Sequence, residues 1–237
     1  MSKQHLTLAG STLVLALAAG PALAATAVTG TVTYSGKVPN LKPISMDADP
    51  ACAAKHSGPV ASDVLVLGSG NTMANVMVRV KSPVSGTFSA PAQPAVIDQK
   101  GCHYEPHVLG LMVGQTLKLR NSDGLLHNVH ALPKVNTPFN MAMPANRTEA
   151  DTKFGKEEGM FQIKCDVHGW MTAYVGVFTN PYFAVTGPDG KFSIAGLAPG
   201  TYEIEAWHEK LGTKTGTVTV AADKPAKVDF TFSPPGS

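Results

Sequence analysis

Residues 161–171 read Phe-Gln-Ile-Lys-Cys-Asp-Val-His-Gly-Trp-Met and place a thiol (Cys165), an imidazole (His168) and a thioether (Met171) in the order Cys-x2-His-x2-Met. Cys-x2-His alone is a weak signal, since zinc sites and chance produce it too. A thiolate, imidazoles and a weak axial thioether together suit one mononuclear copper that alternates between Cu(I) and Cu(II). The thiolate gives a covalent path for the electron, two imidazoles complete a trigonal plane, and the thioether adjusts the potential. The loop supplies one imidazole, so a second must come from elsewhere, and His127 in His-Asn-Val is the candidate. The competing readings are a zinc site, or no metal at all: Cys165 as a buried thiol or half a disulfide, His168 as a capped surface histidine, Met171 as core. A binuclear copper site would need a second thiolate in this loop, and multicopper chemistry would need His-x-His pairs; the sequence has neither.

The remaining soft and borderline donors are read as structural. His130 lies three residues from His127, and odd spacing on a strand puts it on the opposite face. His103 and His107 flank Tyr104-Glu105-Pro106 in a loop. Met141, Met143 and Met160 could form a soft Cu(I) site, but methionines in a connection more often cover apolar surface. Trp170 is either core cover over the metal or part of an apolar patch. The chain has three cysteines. If Cys165 binds metal as a thiolate, Cys52 and Cys102 remain to form a disulfide, paired away from the metal loop.

The elements that must position these residues read as β-strands. Short Val/Thr/Ile/Phe runs recur between Gly/Pro turns, in a chain of 237 residues with 23 Gly, 18 Pro and 43% hydrophobic residues. Strands are expected at 25–36, 63–67, 75–80, 95–98, 108–113, 116–120, 125–131, 160–165 and 173–178. Residues 37–62 carry little regular signal, 82–94 read as a Pro-rich linker, and 132–159 as a long Asn/Pro/Met-rich connection. A second set of strands is expected at 182–185, 191–194, 202–207, 216–220 and 228–232. The net charge of +2 gives no electrostatic case for nucleic acid or for strong membrane adsorption. Residues 1–24 have the parts of a secretory signal peptide: an early Lys, an apolar stretch over 6–19, Gly20-Pro21 and Ala22-Leu23-Ala24. Its apolar run is shorter than the ~20 residues of a membrane span, so export to the periplasm or beyond is expected, without stable membrane insertion.

Several segments resemble known families. Pro106-His107-Val108, Val113-Gly114-Gln115-Thr116 and the stretch from Asn121 to His127-Asn128-Val129 resemble the upstream part of plastocyanin-like proteins. The 165–171 loop has the spacing of the short amicyanin ligand loop. Residues 95–180 thus resemble a cupredoxin. The resemblance implies His127, Cys165 and His168 as strong copper ligands and Met171 as the weak axial one. It also implies that Asn128 hydrogen-bonds between the two ligand segments, and that electrons pass through a more exposed His168 edge. Residues 181–237 resemble the carboxypeptidase regulatory-like, or transthyretin-like, β-sandwich through Thr186-Gly-Pro-Asp-Gly-Lys-Phe192, Leu197-Ala-Pro-Gly-Thr-Tyr202 and Val218-Thr-Val220. That module usually begins with Gly-x-Val and a Val-x-Val strand, and its counterparts here are Gly30-Thr31-Val32 and Val76–Val80. Residues 25–94 are therefore expected to complete the split C-terminal sandwich.

The expectation is an all-β protein: a cupredoxin-like Greek-key β-sandwich plus a smaller transthyretin-like β-sandwich. The expected function is that of an exported type 1 copper protein carrying single electrons, not an enzyme. Its partners would be a c-type cytochrome or a dehydrogenase, with the amicyanin-like loop pointing to amine oxidation. The alternatives are a copper carrier or sequestering protein, and a binding module with a structural metal.

Overall fold

The computed structural model describes residues 27–222 and 224–234, so the segment 1–24 read as a signal peptide lies outside the described residues. In chain order the first strands are β1 (Ala27–Tyr34), β2 (Met77–Val80), β3 (Ala95–Lys100), β4 (His103–Glu105), β5 (Val108–Met112) and β6 (Thr116–Asn121). They are followed by β7 (His127–Ala131), β8 (Phe139–Met143), β9 (Glu149–Lys153), β10 (Glu158–Lys164) and β11 (Thr172–Phe178). The last are β12 (Phe183–Val185), β13 (Lys191–Ala195), β14 (Gly200–His208), β15 (Gly212–Val220), β16 (Ala226–Lys227) and β17 (Phe230–Phe232). A single-turn helix, α1 (Pro50–Ala53), interrupts the segment between β1 and β2.

The middle of the chain builds one sandwich. One sheet has the order β5-β11-β10-β7-β8 and the other β4-β3-β6-β9. The alternation of β6 explains its place. Leu117, Leu119 and Asn121 point inward, while Thr116, Lys118 and Arg120 point outward. Leu117, Leu119 and Ile97 from one sheet share a core with Leu111, Val129, Ile163 and Val175 from the other. Each such buried aliphatic side chain contributes about 1.5–3 kcal/mol.

The ends of the chain build a second sandwich. β1 pairs antiparallel with β13 and parallel with β16 and β17, while β2 lies between β12 and β14, and β15 follows β14. Thus β1 and β2 are hydrogen-bonded to strands from beyond residue 182, and the metal-loop sandwich lies between β2 and β12 in sequence. Gly30 in β1 shows how tight the pairing is: a Cβ there would lie 1.8 Å from Val228 O and 2.6 Å from the Phe192 ring. Met77, Val108 and Phe178 pack between the two sandwiches. Across the same boundary His107 Nε2 meets Glu209 Oε1 at 2.6 Å, and the Tyr174 hydroxyl donates to Glu209 Oε2 at 3.1 Å.

Two sequence expectations fail here. The strand-like run 63–67 forms no strand; it contributes a bridge from Leu67 to Met73 and a carbonyl, Val66 O, that accepts from Ala74 N. The stretch 132–159 is not a plain connection, because β8 and β9 lie within it. Both are edge strands, and apart from Met143 their inward residues are only half-buried, so little apolar signal marks them in the sequence.

Candidate metal centre

Three pieces of chain converge on the site. β6 ends in Asn121, whose buried amide donates to Leu125 O at 2.8 Å and Met143 O at 2.9 Å and accepts from Asp123 N at 3.1 Å. This closes the turn Ser122-Asp123-Gly124, with Gly124 at φ +65°, and starts β7 at His127. β10 ends one residue before Cys165, and β11 begins one residue after Met171. The loop between them is cinched by Cys165 N–H to Met171 O at 3.1 Å and Met171 N–H to His168 O at 2.9 Å.

The structure brings His127, Cys165 and His168 together. One ligand atom from each lies within 4.8 Å of the others, and all three residues are buried. His127 Nδ1 and His168 Nδ1 are 2.9 Å apart, and His168 Nδ1 is 3.9 Å from Cys165 Sγ. The outer nitrogens are both held by carboxylates: His127 Nε2 meets Asp123 Oδ2 at 2.9 Å, and His168 Nε2 meets Asp49 Oδ2 at 2.8 Å. An ionised carboxylate only accepts, so each Nε2 carries its hydrogen. In neutral imidazoles this leaves two Nδ1 lone pairs facing each other beside a sulfur. A proton or a metal ion can lie between two nitrogens so placed, and carboxylate–histidine pairing of this kind orients metal-binding imidazoles. The donor set of two imidazole nitrogens and a thiolate fits a copper ion, and the same loop carries the Met171 thioether. Met171 is buried in the same core as Cys165.

The surroundings favour positive charge at the His127 imidazole and negative charge on the Cys165 sulfur. Burial pulls the His127 imidazole down, but hydrogen bonds to Asp123 and Cys165 outweigh it and raise its pKa to about 9. Burial pushes the Cys165 thiol up, but hydrogen bonds from His127 and from the backbone N–H groups of Asn128, His168 and Val167 hold it below the usual thiol range. Asp123 is desolvated, which opposes its ionisation. Hydrogen bonds from His127, Cys102 N–H, Gly101 N–H and Lys55 nonetheless hold its carboxyl well below the usual range. Asn128 bridges the two ligand segments. Its Oδ1 accepts from Asp166 N at 2.7 Å and Val167 N at 3.3 Å and lies 3.3 Å from Cys165 Sγ, while Tyr104 donates its hydroxyl to Asn128 O.

Two expectations about the surroundings are corrected. His168 is not the exposed edge of the site: it is 2% exposed, with Asp49 against Nε2 and the Trp170 ring centroid 5.1 Å from its own. The Cys52–Cys102 disulfide does form, with a Cα–Cα distance of 5.6 Å, but it does not lie away from the metal loop. Cys52 Sγ is 3.6 Å from His168 Nε2, and Trp170 Nε1 donates to Cys102 O at 3.1 Å. Two further donor groups, Asp49/Cys52/His168 and Cys102/Asp123/His127, each include a disulfide sulfur, which is not a thiolate ligand. Asp49 and Asp123 went unseen as site residues in the sequence. Asp49-Pro50 is a helix-start signature, but nothing in the spacing ties it to a histidine 119 residues away.

The other candidates lie outside the cluster. His130 faces away from it and pairs with Asp166 at 2.8 Å. His103 Nδ1 meets Asp63 Oδ2 at 3.1 Å, and His107 is spent on Thr172 O and Glu209. Met143 is core, and Met141 and Met160 are half-buried against apolar neighbours.

A family model of the carboxypeptidase regulatory-like domain matches residues 172–233. The match begins in β11, which is hydrogen-bonded into the metal-loop sandwich, and omits β1 and β2, which complete the second one. No curated protein matches the chain. Similar solved structures include a copper-containing nitrite reductase from Thermus scotoductus SA-01, at TM-score 0.35 and 21% identity, over 42% of this chain and 26% of that one. A point mutant of amicyanin in its Cu(I) form aligns at TM-score 0.32 and 22% identity, over 42% of this chain and 97% of that one. A purple cupredoxin from Nitrosopumilus maritimus aligns at TM-score 0.30 and 23% identity, over 35% of this chain and 98% of that one. The chain spans about a quarter of the nitrite reductase and nearly all of the two small copper proteins. Among the described residues no helix is long and apolar enough to cross a membrane. The described chain is built almost entirely of β-strands, and its residues 172–233 are similar to the carboxypeptidase regulatory-like domain.

Proposed function

We propose that this is an exported mononuclear copper protein that carries single electrons between redox partners and has no substrate of its own. The observation that carries the reading is the buried cluster of His127 Nδ1, His168 Nδ1 and Cys165 Sγ, with both outer nitrogens fixed by carboxylates. Bound copper would supply a Cu(I)/Cu(II) couple, which exchanges one electron without making or breaking a substrate bond. His127, Cys165 and His168 would hold the ion, with Met171 as the weak fourth donor. Asp123 fixes the tautomer and tilt of His127, and Asn128 holds the loop backbone around Cys165. A site whose ligands are already fixed changes little between oxidation states, and that keeps reorganisation small. The same fixity suits retention of the ion more than its delivery, which favours electron carriage over copper carriage. The partners are one-electron proteins of the c-type cytochrome or dehydrogenase kind, in the periplasm or outside the cell.

Loading with Cu(II) tests this. The protein should take up one copper and show an intense thiolate-to-Cu(II) visible band that is absent in Cys165→Ser. A colourless protein that binds zinc as tightly as copper would sink the electron-transfer reading.

A further inference from the structure

We propose that residues 44–60 are a lid over the metal centre, stapled shut by Cys52–Cys102, and that Asp49 on this lid is a positioning residue for His168. The second half rests on the copper reading above; the first half does not. The segment joins neither sandwich by strand pairing. Its β-bridge is internal, from Ile44 N to Val60 O at 2.9 Å, and closes the base of the lid on itself. What fastens it lies around the two ligand-bearing segments. Cys52 is bonded to Cys102. Lys55 Nζ donates to Asp123 O at 2.9 Å and lies 3.3 Å from Asp123 Oδ1. His56 Nε2 meets Gly101 O at 2.8 Å. Met46 and Cys52 add buried surface to the core of the metal-loop sandwich.

The carboxylate of Asp49 is aimed by the lid's own local structure. Asp49 is the N-cap of α1, and its Oδ1 accepts from Ala51 N at 2.9 Å, with Pro50 in the first turn. Capping occupies one oxygen and fixes the side-chain torsions. The other oxygen, Oδ2, is thereby directed at His168 Nε2, 2.8 Å away. With the hydrogen held on Nε2, the lone pair of Nδ1 faces Cys165 and His127. The cap therefore sets both the tautomer of one ligand and the closure of its outer edge, which is also crowded by Cys52 Sγ and the Trp170 ring. A redox partner cannot touch the His168 ring while the lid is down. A dithiol reductant would pass two electrons and two protons to the Cys52–Cys102 pair, leave as its own disulfide, and free the lid.

The test uses the full chain, first without copper. Histidine acylation by diethyl pyrocarbonate, mapped by mass spectrometry, compares His168 with the partly exposed His130 of the same molecule. In the oxidised protein His168 should react at least about tenfold more slowly than His130: both rings pair with a carboxylate, but His168 is 2% exposed and the His130 side chain 28%, so reaction at His168 must first open the lid. After mild reduction with dithiothreitol, and in Cys52→Ser/Cys102→Ser, that protection should fall by about tenfold. Fast acylation in the oxidised protein would overturn the lid, and unchanged protection after reduction would overturn the staple. Asp49→Asn keeps the disulfide but has one acceptor for two donors. It should weaken Cu(II) binding by about 10–100-fold and Cu(I) binding by less, because a full negative charge beside the ligand is lost. Equal Cu(II) affinity, or a wild-type protein that binds no copper, would overturn the positioning role, and the acylation result would still decide the lid.

Discussion

Asp123 ties His127 to the Gly101-Cys102 turn and to Lys55, so replacing it with asparagine has a worked consequence. Its Oδ1 accepts from Gly101 N at 2.7 Å; its Oδ2 accepts from Cys102 N at 2.8 Å and faces His127 Nε2 at 2.9 Å. Lys55 supplies a cation 3.3 Å away, and the Asp123 side chain is 3% exposed. An asparagine amide keeps one oxygen for Gly101 but turns an NH2 group toward two other donors. Breaking a buried charged pair from one side costs about 3–5 kcal/mol. For a domain of this size each kcal/mol shifts Tm by roughly 2–4 °C, so Asp123→Asn should melt about 6–20 °C lower without copper. With the His127 tautomer no longer fixed, Cu(II) affinity should fall about 10–100-fold as well. The assay is thermal unfolding of the copper-free, disulfide-intact protein, followed by Cu(II) titration. A melting temperature within about 2 °C of wild type, together with unchanged affinity, would refute the idea that carboxylates organise the two imidazoles.

Other outcomes follow from residues away from the ligands. Burial pushes His208 down from 6.5 to about 4, although Glu209 opposes this, and His208 Nδ1 accepts from Lys210 N at 3.3 Å. The unfolded chain therefore binds this proton first as pH falls. Stability should be unaffected by His208 above about pH 6.5 and should drop by about 2 kcal/mol by pH 5. Urea unfolding at pH 7 and pH 5 should show this slope, and His208→Gln should lose it. Gly30→Ala puts a Cβ into Val228 O and the Phe192 ring and should cost about 3 kcal/mol or more; wild-type unfolding would mean that β1 is not seated against β13. Glu158 accepts from the backbone N–H groups of Lys134, Val135 and Asn136. Glu158→Ala should cost about 1–3 kcal/mol and speed amide exchange at 134–136, and undisturbed exchange there would contradict that role. Limited proteolysis that released residues 27–80 as a folded piece would count against a second sandwich completed by β1 and β2.

What could be read from the sequence was whatever is local. Cys165, His168 and Met171 sit on one loop, so their spacing proposes them as a set, while His127 and its neighbour Asn128 join it through the resemblance of His-Asn-Val to a known ligand segment. The strands with one buried face, such as β1 and β6, announce themselves by alternation. β8 and β9 do not. β9 reads Glu-Ala-Asp-Thr-Lys; an antiparallel ladder holds it to β6, and the side chains across that ladder are largely the charged pairs Lys118–Glu149, Lys118–Asp151 and Arg120–Glu149. The apolar run Val64–Leu67 misled for the opposite reason, since apolar residues of strand-forming type without a partner strand make no ladder. The lid was illegible because nothing in its composition is periodic. Its function depends on contacts with His168 and Asp123, which are 119 and 68 residues from Asp49 and Lys55.

The central claim is that copper sits between His127 Nδ1, His168 Nδ1 and Cys165 Sγ. Anomalous diffraction at the copper absorption edge, from crystals of the copper-loaded, disulfide-intact protein, tests this directly. One copper peak in contact with those three atoms, with no second site at Asp49 or Cys102, is the predicted result. A peak elsewhere, or none in crystals shown to contain copper, would contradict it.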